Sequence, residues 1–179
     1  MVTRGELTLQ VPHRRHRRSF LAAAVEFEAE GSHAYSSFRS TTLESLRTDF
    51  GEYVDQLHDM EHPTKPLADG WVPMTERWML VGGLLVGRIS IRHELNDWLR
   101  EVGGHIGYAV RPSARRNGYA TQALAQALPI AAALGIESVL VTCDVDNVGS
   151  RRTIESNGGM LENIANGKRR YWIPTGRTA

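Results

Sequence analysis

Cysteine is nearly absent from this chain. Cys143 stands alone among 179 residues, so no internal disulfide can form and a reducing compartment is the expected setting. Charge of one sign is lacking as well: 21 Lys and Arg face 20 Asp and Glu, a formal net charge of +1. No global field therefore points to nucleic acid or to a membrane surface. No apolar run comes near the ~18 residues needed to cross a bilayer, and residues 1–10 lack the apolar centre of a signal peptide. The expectation is a soluble, cytoplasmic protein with no membrane partner. Nucleotide and metal signatures are missing too. No Gly-x-x-x-x-Gly-Lys-Ser/Thr occurs, and Gly82-Gly83-Leu84-Leu85-Val86-Gly87 lacks the Gly-x-Gly-x-x-Gly spacing. His93-Glu94 is followed by Asp97 where a zinc-protease helix carries its second histidine. With no Cys/His cluster either, no metal is expected.

What is present is enough apolar sequence, 41% of the chain, for one good core, and the length is short for two domains. Residues 6–11 alternate as a short strand ended by Pro12, and Phe20, Leu21, Ala24, Val25 and Phe27 mark a first helix stopped near Gly31. Leu43, Leu46, Phe50, Val54 and Leu57 recur at helical spacing over 41–58, with Thr41 and Glu44 placed as a capping box. Pro63, Pro66, Asp69 and Gly70 then make a loop. Strands are expected at 74–81 and 84–92, joined at Gly82-Gly83, and at 104–110 after a short helix around Leu95, Trp98 and Leu99. A helix from Tyr119 to Gly135 contains Pro129, where a kink or break is expected. A strand at 138–143, a helix at 147–157 closed by Gly158-Gly159, and strands at 160–165 and 168–173 turning at Asn166-Gly167 complete the chain. The order β-α-α-β-β-β-α-β-α-β-β describes one α/β domain over 1–179, a mixed β-sheet flanked by helices, with no internal repeat.

The stretch with the most chemistry runs from Gly104 to Ala120. A strand enters a basic, glycine-bearing loop and then the opening turn of a helix, which offers free backbone N–H groups and the guanidinium groups of Arg115 and Arg116 to a phosphate. Gly118 permits a positive φ or close backbone approach, and the small Ala120 and Thr121 keep the first turn open. By itself such a segment also fits a solvated surface turn. A second constellation follows about thirty residues later, where a strand leads into Asn147, Ser150 and a helix closed by a glycine pair.

Together these segments resemble the GCN5-related N-acetyltransferases, the GNAT superfamily. The family's acetyl-CoA motif has Gln or Arg, then Gly three residues on and Gly or Ala five residues on; here these are Arg115, Gly118 and Ala120. In the family's second motif an Asn and a small residue three positions later face the pantetheine arm, matching Asn147 and Ser150. The runs Gly104-His105-Ile106-Gly107-Tyr108, Arg116-Asn117-Gly118-Tyr119-Ala120 and Ile154-Glu155-Ser156-Asn157-Gly158-Gly159 look like one bacterial subgroup described only as predicted acetyltransferases. The likeness covers most of the chain from Trp78 onward; before that only the element order is shared. It implies a GNAT-like fold, acetyl-CoA as acyl donor, and pantetheine pairing with the strand through main-chain groups of Tyr108, Ala109 and Val110. A backbone N–H there would polarise the thioester carbonyl. Asn117, Tyr119 and Thr121 complete the implied cofactor-binding set. Dimers are common in the family, so a homodimer is also within the expectation.

Transfer to an amine needs a base for the nucleophile and often an acid for the departing thiolate. Many family members use a helix tyrosine as acid, but seven residues after Asn147 this chain has Ile154. Candidate catalytic residues are His105, Glu101, Glu94 and Ser150. His105 comes first as base because it lies on the strand lining the acceptor cleft and imidazole titrates near neutrality. Arg92, His93 and Tyr35 are the candidate substrate-binding residues, with Arg92 suited either to an acidic acceptor group or to a structural carboxylate. Phe38, Tyr53 and Trp71 read as core, and Cys143 as inert packing.

The expected activity is acetyl transfer from acetyl-CoA to a primary amine, with a small-molecule amine as the acceptor and residues 31–70 on the acceptor side. Two rivals stand beside it. One is an acyl-CoA-binding sensor or interaction module without catalysis, motivated by Ile154. The other is an enzyme acting on a protein or RNA-associated substrate, motivated by the basic run His13-Arg14-Arg15-His16-Arg17-Arg18. That run lacks interleaved aromatics, so no direct nucleic-acid contact is expected.

Overall fold

The structure is a computed structural model that describes residues 6–176. Its centre is one sheet of seven strands in the order β1-β2-β3-β4-β5-β7-β6. The strands are β1 (Thr8–Gln10), β2 (Met74–Val81), β3 (Leu84–Arg92), β4 (Ile106–Val110), β5 (Ser138–Asp144), β6 (Met160–Ala165) and β7 (Lys168–Pro174). Every neighbouring pair is antiparallel except β4 and β5. The expected hairpin turns form at Gly82-Gly83 and Asn166-Gly167, all four residues having positive φ, as two-residue turns between twisted strands require.

Helices cover both faces. α1 (Arg17–Ala29), α2 (Leu43–Thr48) and α3 (Phe50–Glu61) pack on one face, where Phe20, Phe27, Leu46, Phe50 and Leu57 meet Trp78, Leu80 and Leu85. α4 (Tyr119–Ala133) and α5 (Val148–Glu155) cover the other, where Tyr119, Ala123, Leu124 and Ile154 meet Met79, Ile89, Val141 and Tyr171. Alternation of side chains along β2 and β3 supplies both cores from one sheet. Among the described residues no helix is long and apolar enough to cross a membrane.

Three expectations need correction. The helix read over 41–58 is two helices, because Asp49 leaves helical geometry at φ −124 and ψ 42 while Thr48 Oγ1 bonds back to the Glu44 and Ser45 carbonyls. Its capping box is Thr42 with Ser45, not Thr41 with Glu44. Pro129 does not end α4, which runs on to Ala133. Pro129 and Ala125 are both exposed, so the carbonyl that proline leaves without an N–H partner faces water.

The junction of β4 with β5 decides where a ligand can sit. Gly104 has φ +66, and a Cβ there would lie 2.6 Å from the Leu140 carbonyl oxygen, so only glycine lets the chain approach β5 this closely. His105 then clamps the strands: its N–H donates to the Leu140 carbonyl at 2.7 Å, and its Nδ1 accepts from the Leu140 N–H at 2.9 Å. One parallel bridge follows, Ile106 with Val141, and no further bridge joins the two strands. Beyond it β4 stays paired with β3 as far as Val110, while β5 pairs with β7. The two strands part, leaving a wedge in the middle of the sheet.

Candidate active site

A cavity of about 610 Å³ opens from this wedge. Tyr108, Ala109 and Val110 of β4 form one wall, and Asn147, Gly149, Ser150 and Thr153 of α5 and its entry form another. Ala114, Arg115, Arg116, Gly118, Tyr119, Ala120 and Thr121 make the third, with Phe27 and Ala34 overhead. Residues read from two distant motifs thus line one space. Phe27, Ala34, Ala114, Gly149 and Thr153 lie outside the set expected from sequence; Phe27 and Ala34 reach the cavity through tertiary packing alone, which no local spacing announces.

Backbone geometry fits an elongated anionic ligand here. The Arg111 N–H bonds the Val86 carbonyl across β3, and by strand alternation the peptide groups of Tyr108 and Val110 point the opposite way, into the wedge. At the far end, α4 starts without a side-chain cap, so the first-turn N–H groups of Tyr119, Ala120 and Thr121 have no partner among the described residues. Gly118 supports this start with φ +76, and Arg116 just before it has φ 64. Asn117 locks the loop by donating to the carbonyls of Ala114 and Arg115. Free N–H groups, a positive helix end and a small residue at position 120 suit a diphosphate, and the exposed β4 edge suits an amide-bearing arm.

The two loop arginines both line the cavity but have different partners. Arg115 is held by Glu30 through two contacts, 2.8 and 2.5 Å, and by the Val110 carbonyl at 3.1 Å. It fastens the loop to the end of α1, leaving Arg116, exposed and without an ion-pair partner among the described residues, as the cation for a ligand. A parallel tie joins Glu26 to Arg111 and to the N–H and hydroxyl of Ser113. Burial opposes ionisation of Glu26, but the Arg111 and Ser113 bonds hold its carboxyl down at about 2.

Asn147 caps α5, its side chain accepting from the Ser150 N–H at 3.0 Å. The Ser150 side chain lines the cavity, and its hydroxyl meets the Tyr108 phenol at 2.6 Å. Burial raises the Tyr108 phenol to about 12 even against that hydrogen bond. Ile154 is wholly buried in the core, packed where a Cβ on Gly159 would strike its carbonyl, and offers no proton. Cys143 is buried and its thiol is raised by that burial, as inert packing requires.

The proposed bases do not converge on the cavity. His105 is buried, its Nδ1 lone pair occupied by the Leu140 N–H, and its ring set edge-on to Trp172. Burial and then the Arg100 and Arg92 charges push it down to about 4, so it is neutral at neutral pH with its remaining proton on Nε2. Such an imidazole ties two strands and has no free lone pair for a substrate. Glu94 and Glu101 are exposed, Glu101 accepting only from Asn166. His93 bonds Thr75 at 2.8 Å, in a cluster with Glu61 and Arg77. Tyr35 is core, donating to Glu28 at 2.6 Å.

A second cavity, about 560 Å³, lies beyond Gly107 and is lined by Ser37, Arg39, Ser40, Gly70, Trp71, Val72, Met74, Arg92, Trp98 and Leu99. Arg92 is the one substrate-binding candidate that reaches it. A Cβ at Gly107 would touch the Arg92 guanidinium nitrogens at 3.6 Å, and two residues further along β4 Ala109 lines the first cavity. The basic run near the N-terminus is used internally: Arg14 pairs with Asp55, Arg15 with Gln10, and Arg17 with the Arg47 carbonyl.

A split parallel pair and an uncapped helix behind a glycine turn frame the first cavity, the arrangement of an acyltransferase donor site. The chain belongs to the acetyltransferase (GNAT) domain family, which it matches over residues 21–160. No curated protein matches it. Among solved structures it is similar to Mycobacterium smegmatis RimJ in complex with CoA-disulfide, at 18% identity, 96% coverage of this chain, 83% of that one and a TM-score of 0.71. It is also similar to the Microcin C7 self immunity acetyltransferase MccE in complex with acetyl-CoA and AMP, at 16% identity, 94% and 92% coverage and a TM-score of 0.64. A third is RimL, a ribosomal L7/L12 alpha-N-protein acetyltransferase, with CoA bound, at 18% identity, 94% and 93% coverage and a TM-score of 0.65. These likenesses place the fold, a seven-stranded sheet flanked by helices, within the same architecture.

Proposed function

We propose that this protein transfers the acetyl group of acetyl-CoA to the primary amine of a small molecule, both being bound at once. The observation that carries the reading is how near the cavities lie along β4: Ala109 lines one, and Gly107, two residues back on the same strand face, lies against the Arg92 guanidinium that lines the other. That spacing supports direct attack without a covalent enzyme intermediate. The donor supplies an activated acetyl thioester and leaves as the thiol. The α4 N-terminus and Arg116 hold its diphosphate, while the Tyr108 and Val110 peptide groups align its pantetheine arm and present an N–H toward the thioester carbonyl. The Ser150 hydroxyl, backed by Tyr108, is placed to hand a proton to the departing sulfur.

No His, Asp or Glu is among the residues lining either cavity. In this reading solvent deprotonates the amine, because neither cavity is lined by His105, Glu94 or Glu101. The test is incubation with acetyl-CoA and a panel of small amines, peptides with free N-termini and buffer alone, following thiol release and the mass of each acceptor. Acetylated small amines support the reading. Transfer to peptides with none to small amines would replace the acceptor class, and that rival has a basis in the relatives named for ribosomal proteins. Acetyl-CoA binding without transfer to any acceptor would leave the non-catalytic alternative.

A further inference from the structure

We infer that the second cavity selects amines that also carry a carboxylate or a phosphate, received by Arg92 and Arg39, with a flat apolar body against Trp71 and Trp98. The inference rests on the reading above for the position of the amine, but its charge preference can be measured without any transfer.

Arg92 lacks what other buried or half-buried arginines of the fold have, a carboxylate partner. Arg77 meets Glu61, Arg88 meets Glu76, Arg111 meets Glu26 and Arg170 meets Glu162. Half-buried Arg92 has no carboxylate within ion-pair distance among the described residues; one of its guanidinium nitrogens donates to the carbonyls of Gly103 and Gly104, both at 3.1 Å. The nearest buried carboxylate, Glu76, is already gripped by Nε and Nη2 of Arg88, both at 2.6 Å, and by the Ser37 hydroxyl at 3.1 Å. Burial, and then the neighbouring Arg88 charge, lower Arg92 to about 10. A cation left in this setting gains from an incoming anion, and a guanidinium favours the planar, two-point partner that a carboxylate or phosphate provides.

The rest of the cavity agrees in sign and shape. Its second cation, Arg39, is exposed and has no ion-pair partner among the described residues, and no acidic residue lines the space. Trp71 and Trp98 show 41% and 57% of their surface to solvent, which leaves indole surface on the walls for a ring or other flat group. Position adds a length constraint. The Arg92 guanidinium lies against Gly107, beside the stretch of β4 that borders the donor cavity. An anion seated there is only a few bonds from an amine that reaches the thioester, as in an amino acid or an aminoalkyl phosphate.

The experiment is calorimetric binding of three ligands that lack an amine: 3-phenylpropanoate, phenyl phosphate and the neutral 3-phenylpropanamide. At least one anion should bind about tenfold or more tightly than the amide; which one does identifies carboxylate or phosphate as the source. Arg39→Gln, at an exposed residue that holds nothing in the fold, should cut that preference severalfold, and Arg92→Gln should abolish it. Retained acetyl-CoA binding by Arg92→Gln shows that the variant is folded; should it not fold, Arg39→Gln carries the test. Equal binding of amide and anions, or an anion preference untouched by these variants, overturns the inference. Acetyl-CoA titrated into the same wild-type sample separates the two readings: donor binding without anion preference removes this inference alone, and no donor binding removes the transferase mechanism.

Discussion

The phenol of Tyr108 and the hydroxyl of Ser150 meet at 2.6 Å across the gap where β4 and β5 part. One residue comes from β4 and the other from the first turn of α5, so the contact spans the wedge, and in the proposed reading it is the proton source for the departing sulfur. Ser150→Ala should leave acetyl-CoA affinity within about threefold and lower kcat about 100-fold, the size of a lost proton donor. Pre-steady-state acetyl transfer with a fixed acceptor measures it. An unchanged kcat would return proton donation to water.

His105 separates structure from catalysis in one substitution. Asparagine keeps an acceptor near the Nδ1 position and removes the titration, so His105→Asn should keep kcat within about threefold of wild type, whereas a general base would cost about 100-fold or more. His105→Ala leaves the Leu140 N–H without a partner and should lower stability by about 1–3 kcal/mol. Denaturant unfolding of both variants alongside turnover makes the comparison.

Acid stability should fall in two stages. His105 is held at about 4 against an ordinary 6.5, so the unfolded chain binds more protons between those values and stability rises with pH there. That contribution is complete above pH 6.5 and is lost as pH falls toward 4. Glu26, held at about 2 against 4.5, contributes above 4.5 and loses its contribution as pH falls through 2. Urea midpoints from pH 7 to pH 2 should lose the upper stage in His105→Asn and the lower one in Glu26→Gln.

Arginines 115 and 116 should behave differently despite being adjacent. Arg116→Ala should weaken acetyl-CoA binding about tenfold and reduce its salt dependence, because its guanidinium is free to meet the diphosphate. Arg115→Ala should mainly loosen the loop from Glu30, lowering Tm with a smaller effect on binding. Calorimetry at two salt concentrations and a thermal melt distinguish the two outcomes.

With no ionisable base lining either cavity, kcat/KM should rise tenfold per pH unit and level off at the acceptor amine's own pKa. Changing to a less basic amine should move the break by the same interval. A break that stays fixed across acceptors would reveal a base in the protein.

Much of the architecture was legible because its signals are local. Gly82-Gly83 and Asn166-Gly167 dictate their turns, and the Arg115 to Ala120 spacing sits on the loop and helix start that it implied. Less of the chemistry was legible. His105 resembled a base by position, but its role depends on Leu140, far away in sequence and brought near by the parallel pairing of β4 and β5. The pairing of Arg115 with Glu30, on another element, is likewise invisible in the loop's own spacing. The second cavity draws on the α1–α2 loop, β3 and the segment before β4, with no spacing in the chain that joins Arg39 to Trp98. Partner identity and burial are products of tertiary structure, and sequence periodicity does not carry them.

The most direct test of the central claim is calorimetric titration of acetyl-CoA into the wild type and Gly118→Asp. Asp would place a carboxylate and a strained φ of +76 at the uncapped start of α4. One-to-one binding by the wild type, weakened at least about 100-fold in a folded Gly118→Asp variant, is the predicted result. No binding by folded wild type, or equal binding by both, would contradict the assignment of the wedge and α4 as the donor site.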